Sequence, residues 1–151
     1  MVYEYLKLLI PRKIAHVELP YPHLKKYLKF VEKRARKLKQ TLLRLGAKYR
    51  EDLSYRQLIM ERCFWITTDL FAISVILSYT QHLSARFGLE VFEVADMFCR
   101  EACLRIDENF RRIWKNEDHQ AGLIAAKIMD GHYRFLHENI VPCIDINDLK
   151  K

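Results

Sequence analysis

The chain is poor in residues that interrupt regular structure, with four glycines and four prolines in 151 residues. An all-β protein with a turn every 8–12 residues or so would need more of both. The expected class is therefore all-α, in one domain large enough to bury roughly two thirds of its unfolded surface. Cysteine is also sparse: Cys63, Cys99, Cys103 and Cys143 form no CxxC pair, which excludes a disulfide-dense secreted scaffold and suits reduced, buried thiols. The opening MVYEYLKLLIPRK has neither a basic n-region nor a small-residue cleavage site, so it does not read as a signal peptide. HExxH, the paired ExxH of di-iron bundles, the P-loop, the dinucleotide glycine motif and the nucleophile elbow are all missing. Acids are nearly missing from His23 to Arg50, where Glu32 stands against eleven Lys or Arg residues. That segment carries +10 and the remainder −3.

The spacing of apolar residues predicts four helices. The first runs from about His23 to Leu45 on a seam of Leu24, Leu28, Val31, Ala35, Leu38, Leu42 and Leu45, with Gly46 as its cap. Ser54 and Gln57 form a capping-box pattern opening the second, which reaches about Arg86 before Gly88. The third spans about Val91 to Lys115 with Ala95, Phe98, Cys99, Ala102, Ile106, Phe110 and Ile113 inward. The fourth extends to about Asn139, burying Ala121, Ile124, Ala125, Ile128, Phe135 and Leu136, with Gly131 a weak point inside it. The expected architecture is an up-and-down four-helix bundle over residues 23–140. An N-terminal amphipathic lead-in (1–22) precedes it and a C-terminal tail (141–151) follows. No repeat or low-complexity tract occurs.

One run, CFWITTDLFAISVILSY from Cys63 to Tyr79, is apolar on nearly every side and carries a single charge, Asp69. Its seventeen residues fall short of the roughly twenty that a spanning helix needs. A central Asp adds about 2.5–3.5 kcal/mol against insertion. Catalysis by Asp69 would need a second titratable group, and none is visible. The reading is a structural buried carboxylate held by a hydroxyl or by an Arg of a facing helix, such as Arg105. Cys99 and Cys103 share a helical face, as two zinc ligands would, but no further ligands lie at suitable spacing. Arg112 and His119 have the loose Arg-x(4–6)-His spacing of HEPN-type ribonucleases and straddle a predicted helix end. The first helix presents Lys25, Lys29, Lys33, Arg36 and Lys37 off its seam. They form a solvated face first, then a face for an anionic membrane or acidic partner, and last one for nucleic acid, for which no RNP, KH or helix-turn-helix signature is present.

Several stretches, in order, carry a resemblance: PHL (Pro22 to Leu24), LLRLGAKY (Leu42 to Tyr49), QLIMERC (Gln57 to Cys63), TTDLFAISVILS (Thr67 to Ser78) and MFCREACLRI (Met97 to Ile106). Together they resemble the extra C-terminal helical domain of the very-long-chain acyl-CoA dehydrogenase group, over roughly residues 22–140. In that family the flavin site, the acyl-CoA pocket and the catalytic carboxylate lie in the preceding catalytic portion, to which nothing here corresponds. The resemblance implies a non-catalytic bundle that packs on a dehydrogenase body serving fatty acid β-oxidation. FAD would then belong to that body alone, and no catalytic, cofactor-binding or metal residue is expected in this chain. Asp69 falls on the family's structural helix aspartate. Val2 to Lys13 sits where a membrane-associating segment would lie, which implies a cytoplasmic protein peripheral to the inner face of a membrane. The partners expected are the dehydrogenase catalytic domain or subunit, a second copy, or an anionic membrane surface.

Overall fold

The computed structural model describes residues 22–136, and the expected lead-in, the tail and Cys143 lie outside them apart from Pro22. The described residues hold four α-helices and no strand: α1 Lys25–Tyr49, α2 Gln57–Phe87, α3 Glu90–Trp114 and α4 Asp118–Met129. The all-α expectation holds. Single 3-10 segments precede α1 (Pro22–Leu24), join it to α2 (Arg50–Tyr55) and follow α4 (Arg134–Leu136). The chain divides into two units, one ending at Lys115 and the other beginning at Asn116.

In the first unit, α2 and α3 form an antiparallel hairpin joined only by Gly88 and Leu89. Gly88 ends α2 with φ +79, a conformation open to glycine without a Cβ penalty. Ile66 and Ile73 of α2 and Cys99, Ala102 and Ile106 of α3 are fully buried. The small Cys99 and Ala102 leave room on α3 for the branched side chains of α2, so the two seams interdigitate. Leu45 of α1 is fully buried too, and Leu24 and Leu38 nearly so.

Three local expectations are corrected. The α1 seam keeps Leu24, Leu38 and Leu45, but its intervening buried positions are Tyr27 and Thr41, while Ala35 and Leu42 are exposed. Polar contacts to α3, described below, turn the helix by about one position. Gly46 lies inside α1, which continues to Tyr49 and closes at Arg50, with φ +49 and its N–H donating to the Gly46 carbonyl. The capping box does not form, because Ser54 sits in the 3-10 segment and its hydroxyl donates to the Glu51 carbonyl at 2.9 Å.

In the second unit, α4 stops at Met129 rather than near Asn139. Gly131 takes φ +80, the His132 N–H donates to the Lys127 carbonyl, and the Gly131 N–H donates to the Ile128 carbonyl. This is a Schellman closure, so Gly131 terminates the helix instead of weakening it. None of Ala121, Ile124, Ala125, Phe135 or Leu136 is buried, and Ile128 is only partly so.

Candidate functional site

Asp69 is 8 % exposed, on the face of α2 that meets α3. Arg105, on α3, donates to both its oxygens, from Nη2 to Oδ1 at 2.7 Å and from Nε to Oδ2 at 3.2 Å. This fork satisfies a carboxylate that would otherwise be stranded in an apolar seam. It also raises the Arg105 pKa, Asp69 being the main cause. The outer part of the Arg105 side chain stays about half exposed at 49 % and passes over the Phe98 ring. Asp69 thus has its charge partner within the fold.

A second polar cluster ties α1 to α3 and was not legible in the apolar spacing. The Tyr27 hydroxyl donates to Asp96 Oδ1 at 2.7 Å, Lys26 Nζ lies 3.1 Å from the same oxygen, and Arg100 Nε donates to Oδ2 at 2.8 Å. The Tyr27 bond, aided by the two cations, holds the Asp96 carboxyl down at about 2. Burial, with Asp96 beside it, pushes the Tyr27 phenol up. One helical repeat on, Arg34 Nη2 donates to Asp107 at 2.8 Å. The signal was the i, i+7 spacing of Tyr27, Arg34 and Thr41, parallel to the leucine seam but polar. An open cleft of about 770 Å³ adjoins Asp96, between His23, Lys26, Glu93 and Arg100. Within it Lys26 and Arg100 are both engaged with Asp96.

Lys25, Lys29, Lys33, Arg36 and Lys37 are all exposed along α1. Two of them are engaged within the fold: Arg36 pairs with Glu32, and Lys37 Nζ sits 4.3 Å from the centre of the Phe110 ring. Cys99 and Cys103 do share a face of α3, but burial pushes their thiols up to about 12 and about 11. Both therefore stay protonated near neutrality in the metal-free protein. No group of three His, Cys, Asp or Glu side chains able to hold a metal occurs among the described residues. Arg112 lies exposed in the last turn of α3 and His119 exposed in the first turn of α4, in different units.

The feature that sequence reasoning missed is the outer face of α2. The helix is long and apolar enough to cross a membrane by length and composition, a test that core helices also pass. It is not buried all round: Phe64 and Phe71 are 61 % and 69 % exposed, with Val75 and Tyr79 on the same side. Apolar residues on every side concealed which side the bundle leaves open.

The family model described as "ACAD9/ACADV, C-terminal domain" matches residues 22–132. Curated relatives called "Probable acyl-CoA dehydrogenase FadE10", from Mycobacterium bovis and Mycobacterium tuberculosis, are 30 % identical over 118 residues. That stretch is 76 % of this chain and 18 % of the relatives, so the chain accounts for under a fifth of their length. No solved structure matches. With the family match running through all four helices, the chain belongs to the ACAD9/ACADV C-terminal domain family.

Proposed function

We propose that this chain is a non-catalytic helical domain that packs on a flavin-dependent acyl-CoA dehydrogenase body and thereby serves fatty acid β-oxidation. The observation that carries the reading is the family match over residues 22–132, in relatives of which the chain covers 18 %. The geometry supports a supporting role. Asp69 is consumed by Arg105, Asp96 by Tyr27, Lys26 and Arg100, and the thiols of Cys99 and Cys103 are protonated. FAD and the acyl-CoA pocket belong, in this reading, to the dehydrogenase body.

The test is direct. The purified chain is expected to be colourless and to leave an electron acceptor unreduced when given acyl-CoA. Flavin absorbance together with acyl-CoA oxidation by the chain alone would overturn the proposal. A second reading rests on the exposed row Lys25, Lys29, Lys33, Arg36 and Lys37 on α1, which suits an anionic membrane surface. Sedimentation with phosphatidylglycerol vesicles that weakens with salt, and is lost in Lys29→Glu/Lys33→Glu, would support it.

A further inference from the structure

The open side of α2 is uncharged from Phe64 onward: the exposed positions through Thr67, Phe71 and Val75 to Tyr79 carry no Asp, Glu, Lys or Arg. The neighbouring acid, Glu61, lies about one turn before them and accepts from Trp65 Nε1 at 3.3 Å. Two of its hydroxyls bond back to the helix: Thr67 donates to the Cys63 carbonyl and Ser74 to the Leu70 carbonyl, each at 2.9 Å. Hydroxyls satisfied one turn back make a helix face drier than its composition suggests. A contiguous apolar face of this kind on a soluble surface marks an interaction site.

Beside this face runs a groove of about 680 Å³ between α1 and α2, with Ala35, Leu42 and one cation, Lys39, on one wall and Thr67, Phe71 and Ser74 on the other. Ala35 and Ser74 are small, so the groove has room for side chains inserted from outside. A ridge of exposed aromatics next to a concave slot suits a shaped protein surface better than a planar bilayer. The candidate occupant follows from the relatives, in which the stretch matched by this chain is 18 % of a longer polypeptide. There the rest of the polypeptide is a tethered neighbour at an effective concentration in the millimolar range.

We propose that the uncharged face of α2 around Phe64, Phe71, Val75 and Tyr79, with the α1–α2 groove, is the surface seated against the acyl-CoA dehydrogenase body. This rests on the docking reading above and assigns it a side. The basic outer row of α1 then remains outside the contact.

The experiment replaces the C-terminal fifth of the Mycobacterium tuberculosis relative with this full chain and places a photo-cross-linking residue at position 71, 75 or 33. Cross-links to the dehydrogenase portion are expected from 71 and 75 and not from 33. Phe71→Glu should reduce the cross-link from 75 at least tenfold, with helical circular dichroism unchanged. Phe71→Ser, which adds no charge, should reduce it less. Cross-links from 33 alone would overturn the assignment of this face and leave docking standing. No cross-link from any of the three would remove the docking reading and this inference with it. Cross-links from 71 to a second copy would give the face to self-association. Binding to phosphatidylglycerol vesicles abolished by Phe71→Glu would give it to lipid. Either result also overturns the proposal.

Discussion

Replacing Arg105 by methionine removes the one cation that forks onto Asp69 while keeping much of the side chain's apolar length. Two unit charges about 4 Å apart attract by about 4 kcal/mol at an effective dielectric of 20. The donor atoms lie 2.7 and 3.2 Å from the carboxylate, but half of the Arg105 side chain is in water, which screens the pair. The expected loss for Arg105→Met is therefore about 2 kcal/mol, within the range of about 1.5–3 kcal/mol for hydrogen bonds to charged groups. At roughly 2–4 °C per kcal/mol for a chain of this size, the melting temperature should fall by about 4–8 °C. Asp69→Val should cost less, about 1 kcal/mol, because Arg105 can swing fully into water while an orphaned Asp69 cannot. Adding Asp69→Val to Arg105→Met should then recover part of the loss. Urea unfolding followed by circular dichroism reads all three variants. A loss below about 0.5 kcal/mol for Arg105→Met, or a larger one for Asp69→Val, would refute the reasoning, since either means the carboxylate is not held by this fork.

The other predictions concern single groups. Gly46→Ala should stabilise the protein by about 0.5–1 kcal/mol, because Gly46 lies within α1 with nothing within 4 Å of an added Cβ. Gly88→Ala should destabilise it by about 1 kcal/mol, because φ is +79 there; thermal melts that reverse these signs would refute both. The Asp96 carboxyl is lowered from 3.8 to about 2, so the stability it contributes is complete above about 4 and is lost as pH falls towards 2. Asp96→Asn should accordingly narrow the melting-temperature difference from wild type over that window, and a constant difference from pH 5 to 2 would count against it. Cys99 and Cys103 should resist a thiol-specific label at pH 8 in the native protein and react after urea unfolding, as mapped by mass spectrometry. Native-state labelling of Cys99 at the unfolded rate would contradict its burial.

Legibility in the sequence divided along physical lines. The inward set of α3 could be read almost residue by residue, because Ala95, Cys99, Ala102, Ile106, Phe110 and Ile113 alternate with charged residues at helical spacing. In α1 the leucines fixed only part of the register. Tyr27 and Arg34 select the face through a hydrogen bond and an ion pair to acids on α3, which apolar periodicity does not record, and Thr41 is buried on the same i, i+7 row. In the apolar run of α2 from Cys63 to Tyr79 the single charge at Asp69 marked the α3-facing side, but the uniform apolarity of its neighbours gave no means of telling the packed sides from the open one. Ser54 and Gln57 have the right letters for a capping box, yet a 3-10 segment occupies the place where the helix would have to begin. Chain geometry decided that position over side-chain preference.

The two-residue joint at Gly88 and Leu89 has a consequence for how the chain reaches its fold. Contacts between α2 and α3 close a short loop, so the hairpin can assemble early at little entropic cost and seed the rest of the unit. Synthesis runs in the opposite order: α1 leaves the ribosome first, while Asp96 and Asp107, the acids that anchor Tyr27 and Arg34, are made some seventy residues later. Until then α1 is a basic amphipathic helix without its partners, and its final register waits on the last helix of the unit to be translated.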